Sequence, residues 1–187
     1  EKSNEYWADV EIFPKREIVY YDIDTMNKDT SMQRLNVYAK LYNSESGIIL
    51  TTIEALMQKT VSKDKLFTKV IQLENCTSIL LDTLTNELIE LGYERTDMVE
   101  GRGQFSVRGG IIDVFPLTTK DPVRIEFWGD EIDSIRYFDV ITQRSIDTLK
   151  NISIFPVEEF LVEQSDLERI SNEILKKYPN SFEDTEA

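Results

Sequence analysis

The order of its segments is what most constrains this chain. One helix-forming stretch is followed by a succession of short strand-forming runs. Leu80, Leu81, Leu84, Leu88 and Leu91 recur at helical spacing, Thr77 or Ser78 is positioned to cap the helix, and Gly92 to end it. Short β-rich runs follow at Tyr93 to Asp97, Gln104 to Val107, Ile111 to Phe115, Val123 to Trp128, Ile132 to Phe138 and Ile152 to Phe155. Strands in series after a single helix predict an antiparallel α+β module, because successive strands joined by short turns pair with their neighbours. Val70 to Leu73 reads as a further strand ahead of the helix.

The first third has a different rhythm. Val10 to Phe13 and Ile18 to Tyr21 read as strands around Pro14-Lys15, and Ser31 is placed to cap a helix carrying Leu35, Tyr38, Ala39, Leu41 and Tyr42. Gly47 to Leu50 reads as a buried strand and Thr52 to Lys59 as a helix. Alternating strand and helix predicts a partial parallel α/β layer. With so few strands, that layer is expected to leave an apolar edge exposed. The chain begins at Glu1 with no initiator Met or signal-peptide pattern, so a piece of a longer protein is expected. The expected division is residues 1–70 for the partial layer, 71–155 for the α+β module, and 156–187 for a return segment with a helix over Gln164 to Lys177.

Composition excludes several chemistries. Histidine is absent and Cys76 is the single cysteine, which removes Ser/His/Asp and Cys/His nucleophile arrangements, a Cys/His zinc site and an internal disulfide. The expected setting is a reducing cytoplasm, with Cys76 a small, partly buried apolar residue. No apolar run approaches the roughly 20 residues needed to cross a bilayer. The net charge of −14, from 21 basic and 35 acidic residues, repels phosphate backbones and anionic lipid, so autonomous DNA binding is not expected.

Glycine pairs invite a phosphate-loop reading at Gly101-Arg102-Gly103 and Gly109-Gly110. Such a loop must lead into a helix N-terminus, and here strands follow, so tight β-turns or a bulge are expected. Asp130, Glu131 and Asp133 flank Gly129 and read as a solvated hairpin turn rather than metal ligands; Asp22 and Asp24 make no stronger case. The informative run is Val123-Arg124-Ile125-Glu126-Phe127-Trp128. Strand alternation sends Val123, Ile125 and Phe127 to the core and Arg124, Glu126 and Trp128 outward along about 13 Å. In Phe105-Ser106-Val107-Arg108 the same rule sends Arg108 and Ser106 outward. If both strands share a face, arginines, a glutamate and a tryptophan form one patch, of residue types enriched at interface hot spots. The competing reading is an ordinary tryptophan covered by a nearby loop. Residues 102–136 hold five basic and six acidic side chains, near neutral within an acidic chain. That balance suits charge-paired docking to a protein better than nucleic-acid binding.

Three stretches carry a family resemblance: Gly103-Gln104-Phe105-Ser106-Val107-Arg108-Gly109-Gly110-Ile111-Ile112-Asp113-Val114-Phe115-Pro116, then Arg124-Ile125-Glu126-Phe127-Trp128-Gly129-Asp130-Glu131-Ile132-Asp133-Ser134-Ile135-Arg136, then Phe138-Asp139 with Thr142-Gln143-Arg144-Ser145. They resemble the UvrB-homology region of the bacterial transcription-repair coupling factor (Mfd) family, and Phe13-Pro14, Tyr21-Asp22 and Gln33-Arg34 extend the likeness upstream. UvrB itself is the alternative, but its tyrosine-rich hairpin has no counterpart after Tyr20-Tyr21-Asp22. The resemblance implies a partial RecA-like parallel α/β layer followed by a UvrB-domain-2-like antiparallel sheet with helices. It implies a module that binds UvrA in nucleotide excision repair, with Arg108, Arg124, Glu126 and Trp128 at the positions of the family's UvrA-contacting residues.

In that family, UvrA is brought to a stalled RNA polymerase, which the rest of the protein displaces by ATP-driven translocation on DNA. ATP and Mg would therefore serve the parent protein. This chain carries no Walker A sequence, so a non-enzymatic fragment without cofactor or metal, and monomeric, is expected. Two departures stand out. The family's aromatic position is more often Phe than Trp128, and Ser106 stands where UvrB relatives can carry arginine. Changing Arg108 or Arg124 to Ala is expected to weaken partner binding and leave folding nearly untouched.

Overall fold

A computed structural model describes residues 10–16, 24–43, 45–160 and 164–178, the side chains of 24–28, 164 and 165 excepted. The strand expected at Ile18 to Tyr21, and Asp22 as a metal ligand, lie outside the described residues. Strand β1 (Val10–Phe13) runs parallel to β2 (Ile48–Thr51), with α1 (Asp24–Tyr42) between them in sequence. Ser31 is therefore an interior residue of α1 and not its cap. Short helices α2 (Ile53–Met57) and α3 (Lys63–Phe67) follow, capped by the Thr52 and Ser62 hydroxyls, which accept from the backbone N–H of Ala55 and Lys65. All four residues of β2 are exposed, with Val10, Ile12, Ile53, Leu56 and Met57 also uncovered, so the layer does present apolar surface.

The second part builds on β3 (Ile71–Glu74) and α4 (Leu81–Glu90). Helix α4 starts later than the sequence suggests: its N-cap is Leu80, without a side-chain cap, so neither Thr77 nor Ser78 fills that role. Gly92 ends it with φ of 86°, a left-handed value that costs glycine little. Then come β4 (Glu94–Arg95), β5 (Gln104–Arg108), β6 (Ile111–Val114), β7 (Val123–Trp128), β8 (Glu131–Phe138), β9 (Ser145–Leu149) and β10 (Asn151–Ile154), with α5 (Gln164–Lys177) at the end. Strands β4 to β9 form one six-stranded sheet in sequence order, antiparallel except for the β4–β5 pair, while β10 returns to pair antiparallel with β3. The fold is thus mixed α/β with antiparallel sheets, and β9 is a strand that hydropathy alone did not single out.

One face of the six-stranded sheet is buried. Phe105, Ile112, Val114, Val123, Ile125, Ile132 and Ile135 pack there with Leu84, Leu88 and Leu91 of the helical segment and with Leu73, Ile152 and Ile154 of the β3–β10 pair. In β5 to β8 the core takes roughly every second residue, and the alternate residues are left on the opposite face.

A second, polar junction ties α1 to the segment after β10. Arg34 is 1% exposed and donates from Nε to Glu159 Oε2 at 2.7 Å and from Nη2 to Oε1 at 3.1 Å, while its Nη1 donates to the Pro14 carbonyl at 2.7 Å. Tyr38 Oη donates to the same carboxylate at 2.8 Å. Burial opposes the charge on Glu159, yet hydrogen bonds from Arg34 and Tyr38 hold its pKa below the ordinary value. Burial and the adjacent carboxylate push the Tyr38 phenol up to about 12.

Candidate protein-docking site

Hairpin register assembles the outward face. Ser106, Asp113, Arg124, Arg136 and Thr148 stand side by side across β5, β6, β7, β8 and β9, and Arg108, Ile111, Glu126 and Ser134 form the next row. The four residues singled out from sequence therefore share a face, but Arg108 and Arg124 do not lie on adjacent strands: β6 separates β5 from β7. Two-residue loops keep the rows aligned. Gly109-Gly110 links Arg108 to Ile111, and Gly129-Asp130 links Trp128 to Glu131, with φ of 58° at Gly109 and 63° at Gly129. Gly110 is also held close to β7: its carbonyl accepts from Phe127 N at 2.8 Å, and a Cβ there would come within 3.2 Å of the Phe127 carbonyl. The glycines thus shape hairpins, and the acidic trio around Gly129 flanks one of them.

Trp128 ends β7 and is 84% exposed, so no loop among the described residues covers it. Phe127 packs against the core but only partly buried, because a bulge lies between Glu126 and Phe127, where β8 accommodates Asp133 as an extra residue. Glu126 accepts from Ser134 Oγ and from Arg136 Nη2, both at 2.8 Å.

The arginines converge on Asp113, which is 1% exposed. Arg124 grips it with two bonds, Nε to Oδ1 at 2.7 Å and Nη2 to Oδ2 at 2.9 Å, and Arg108 adds Nη2 to Oδ2 at 2.6 Å. The Arg124 guanidinium also donates to the Gln143 side chain at 3.1 Å and sits 4.5 Å from the centre of the Phe138 ring. The hydrogen bonds to Asp113 raise its pKa against the opposing effect of burial. The side chain of Arg124 is only 15% exposed, that of Arg108 47%. The expectation that Arg124→Ala leaves folding untouched is thereby corrected: that change strips a buried carboxylate of its principal partner.

Asp113, Gln143 and Arg136 belong to this cluster and were not identified from sequence. For Asp113 a signal was present, since a lone carboxylate within Ile111-Ile112-Asp113-Val114-Phe115 has to find a cation if it is buried. The face as a whole offers guanidinium groups, a carboxylate and an indole, which suits recognition of a charged surface with an aromatic anchor.

Residues 71–160 match the family model described as the UvrB interaction domain. The chain is 39% identical over 165 residues to the transcription-repair-coupling factor of Bacillus subtilis, the match covering 87% of this chain and 14% of that protein. It is 34% identical over 160 residues to that of Haemophilus influenzae (86% and 14%) and 30% identical over 169 residues to that of Staphylococcus aureus strain RF122 (90% and 14%). The chain belongs to the transcription-repair-coupling factor family. It spans about one-seventh of the length of these relatives, and the UvrB interaction domain within it begins at β3 and ends just beyond Glu159. The whole outward cluster, from Arg108 to Thr148, lies inside that domain.

Proposed function

We propose that this chain is the UvrA-docking module of a transcription-repair coupling factor, binding UvrA through the outward face of its six-stranded sheet. The observation that carries this reading is the pairing of an accessible arginine, Arg108, with the uncovered indole of Trp128 on one rigid face. Arg124 and Glu126 complete the face, Arg124 mainly through the groups it holds. In this reading residues 71–155 form the module, 1–70 close the preceding α/β layer, and 156–187 lead back out of the module. The chain acts in the cytoplasm as a monomer, without catalysis, cofactor or metal of its own. The parent protein uses ATP and Mg to translocate on DNA at a stalled RNA polymerase, and this module delivers UvrA there.

The test is direct binding of purified UvrA to the full chain by calorimetry, at low and high salt. Saturable binding that weakens with salt, and is lost in an Arg108→Ala/Trp128→Ala variant that melts like the wild type, is the expected result. No binding by the wild-type chain at low salt, or equal binding by the variant, overturns the proposal.

A further inference from the structure

We infer that Asp113 is a positioning residue for docking: its buried carboxylate, on the strand between the two arginine-bearing strands, fixes the Arg108 and Arg124 guanidinium groups before a partner arrives. This inference rests on the docking reading above and assigns a role to a residue that would not itself meet the partner.

The geometry supports it from three sides. Asp113 faces Ser106 on β5 and Arg124 on β7 in direct register, and reaches the longer Arg108 on the diagonal. Ser106 is buried and its Oγ has no hydrogen-bond partner, so the carboxylate is left to the arginines. Beyond Asp113, the Arg124 fork donates to Gln143 at 3.1 Å and lies 4.5 Å from the centre of the Phe138 ring, which restricts its orientation. Arg108, by contrast, spends a single N–H on Asp113 at 2.6 Å and keeps nearly half of its side chain accessible.

A buried ion cluster of this kind is a poor device for stability, since apolar residues of similar volume commonly serve as well or better. It is an effective device for recognition. Flexible arginines lose rotamer freedom when they bind, and a side chain already held in place loses less. The carboxylate also offsets part of the mutual repulsion of two adjacent guanidinium groups, which would otherwise drive them apart.

The experiment is a double-mutant cycle on the full chain, with purified UvrA as the probe. Affinities are measured for the wild type, Asp113→Asn, Arg108→Ala/Arg124→Ala, and the triple variant. The expected result is that Asp113→Asn weakens UvrA binding by about tenfold or more, and has no further effect once both arginines are gone. Full affinity in Asp113→Asn, alongside loss in the arginine variant, overturns the positioning role while leaving the docking reading intact. Equal losses from Asp113→Asn on both backgrounds also overturn it, since the residue would then act independently of the arginines. No binding by the wild type takes down the docking reading and this inference with it. If Asp113→Asn or the arginine variant does not fold, side-chain nitrogen spectra of the free wild-type chain decide: slowly exchanging Nε–H signals of Arg108 and Arg124, present before UvrA is added, support the inference. A rapidly averaged Arg124 guanidinium in the free chain refutes it.

Discussion

Replacing Arg34 by Met should be among the most damaging single changes in the chain, although the residue is remote from the docking face. Arg34 and Glu159 are both buried, and the change removes the two N–H donors at 2.7 and 3.1 Å that neutralise the carboxylate. What remains around Glu159 is the Tyr38 hydroxyl at 2.8 Å, the Val61 N–H at 3.3 Å and Arg16 at 3.9 Å. Removing one partner of a buried pair costs about 3–5 kcal/mol, and the surviving donors place this case near the lower end. At about 2–4 °C per kcal/mol for a chain of this size, the melting temperature should fall by roughly 6–12 °C. Urea and thermal unfolding followed by circular dichroism measure it. A double variant, Arg34→Met/Glu159→Leu, should recover much of the loss, because no charge is left buried. A single variant that loses less than about 1 kcal/mol, or a double variant no better than the single, would refute the claim that a buried charge governs this junction.

Trp128→Ala should weaken UvrA binding by about 2 kcal/mol, roughly thirtyfold, with an unchanged melting curve, whereas Phe127→Ala should lower stability by about 2–3 kcal/mol; calorimetry and urea titration separate the two. Arg124→Ala should lower both affinity and stability, the latter by roughly 2–4 kcal/mol, since Asp113 keeps only Arg108; a variant as stable as the wild type would argue against a buried ion cluster. Acid should destabilise the Arg34 junction in a defined direction. The folded pKa of Glu159 lies below its ordinary value, so the unfolded chain binds the extra proton first. Its contribution is full above about pH 4.3, the ordinary glutamate pKa, and fades as pH falls through the lowered folded value. Proton uptake on unfolding, measured between neutral pH and pH 3, should shrink in Glu159→Gln.

The two-residue period is why so much of the sheet was legible. In Val123 to Trp128 the core-facing and outward sets follow from alternation alone, and the structure keeps them on those faces even where a bulge loosens Phe127. Helix α4 was legible from its leucines, but its start was not, because Thr77 and Ser78 are good caps by type yet their backbone pairs with β8, the Thr77 carbonyl accepting from Ile132 N and Ser78 bridging to Glu131, so the helix opens only after Leu80. Strand β9 escaped notice because Ser145-Ile146-Asp147-Thr148-Leu149 is almost wholly exposed at the sheet edge and carries no run of buried residues. The Arg34–Glu159 junction was illegible for a different reason. Arg34 meets Glu159 across 125 residues, and no local pattern encodes a pairing at that separation.

Charge would give the proposed docking face its direction. The chain as a whole carries −14, yet its outward sheet face sets Arg108, Arg124 and Arg136 against Asp113 and Glu126. In the docking reading, an acidic partner surface would be repelled by most of this molecule and least by this near-neutral region, and at physiological salt that contrast acts within about 8 Å. Under that reading, orientation would be selected during the final approach, before any close contact forms. The cations of this face are also the ones that bond Asp113 and Glu126, so in that reading the field guiding the encounter and the geometry receiving it would come from the same side chains. Trp128, one register step beyond Glu126 on that face, then supplies what charge cannot: an apolar surface whose burial does not weaken with salt.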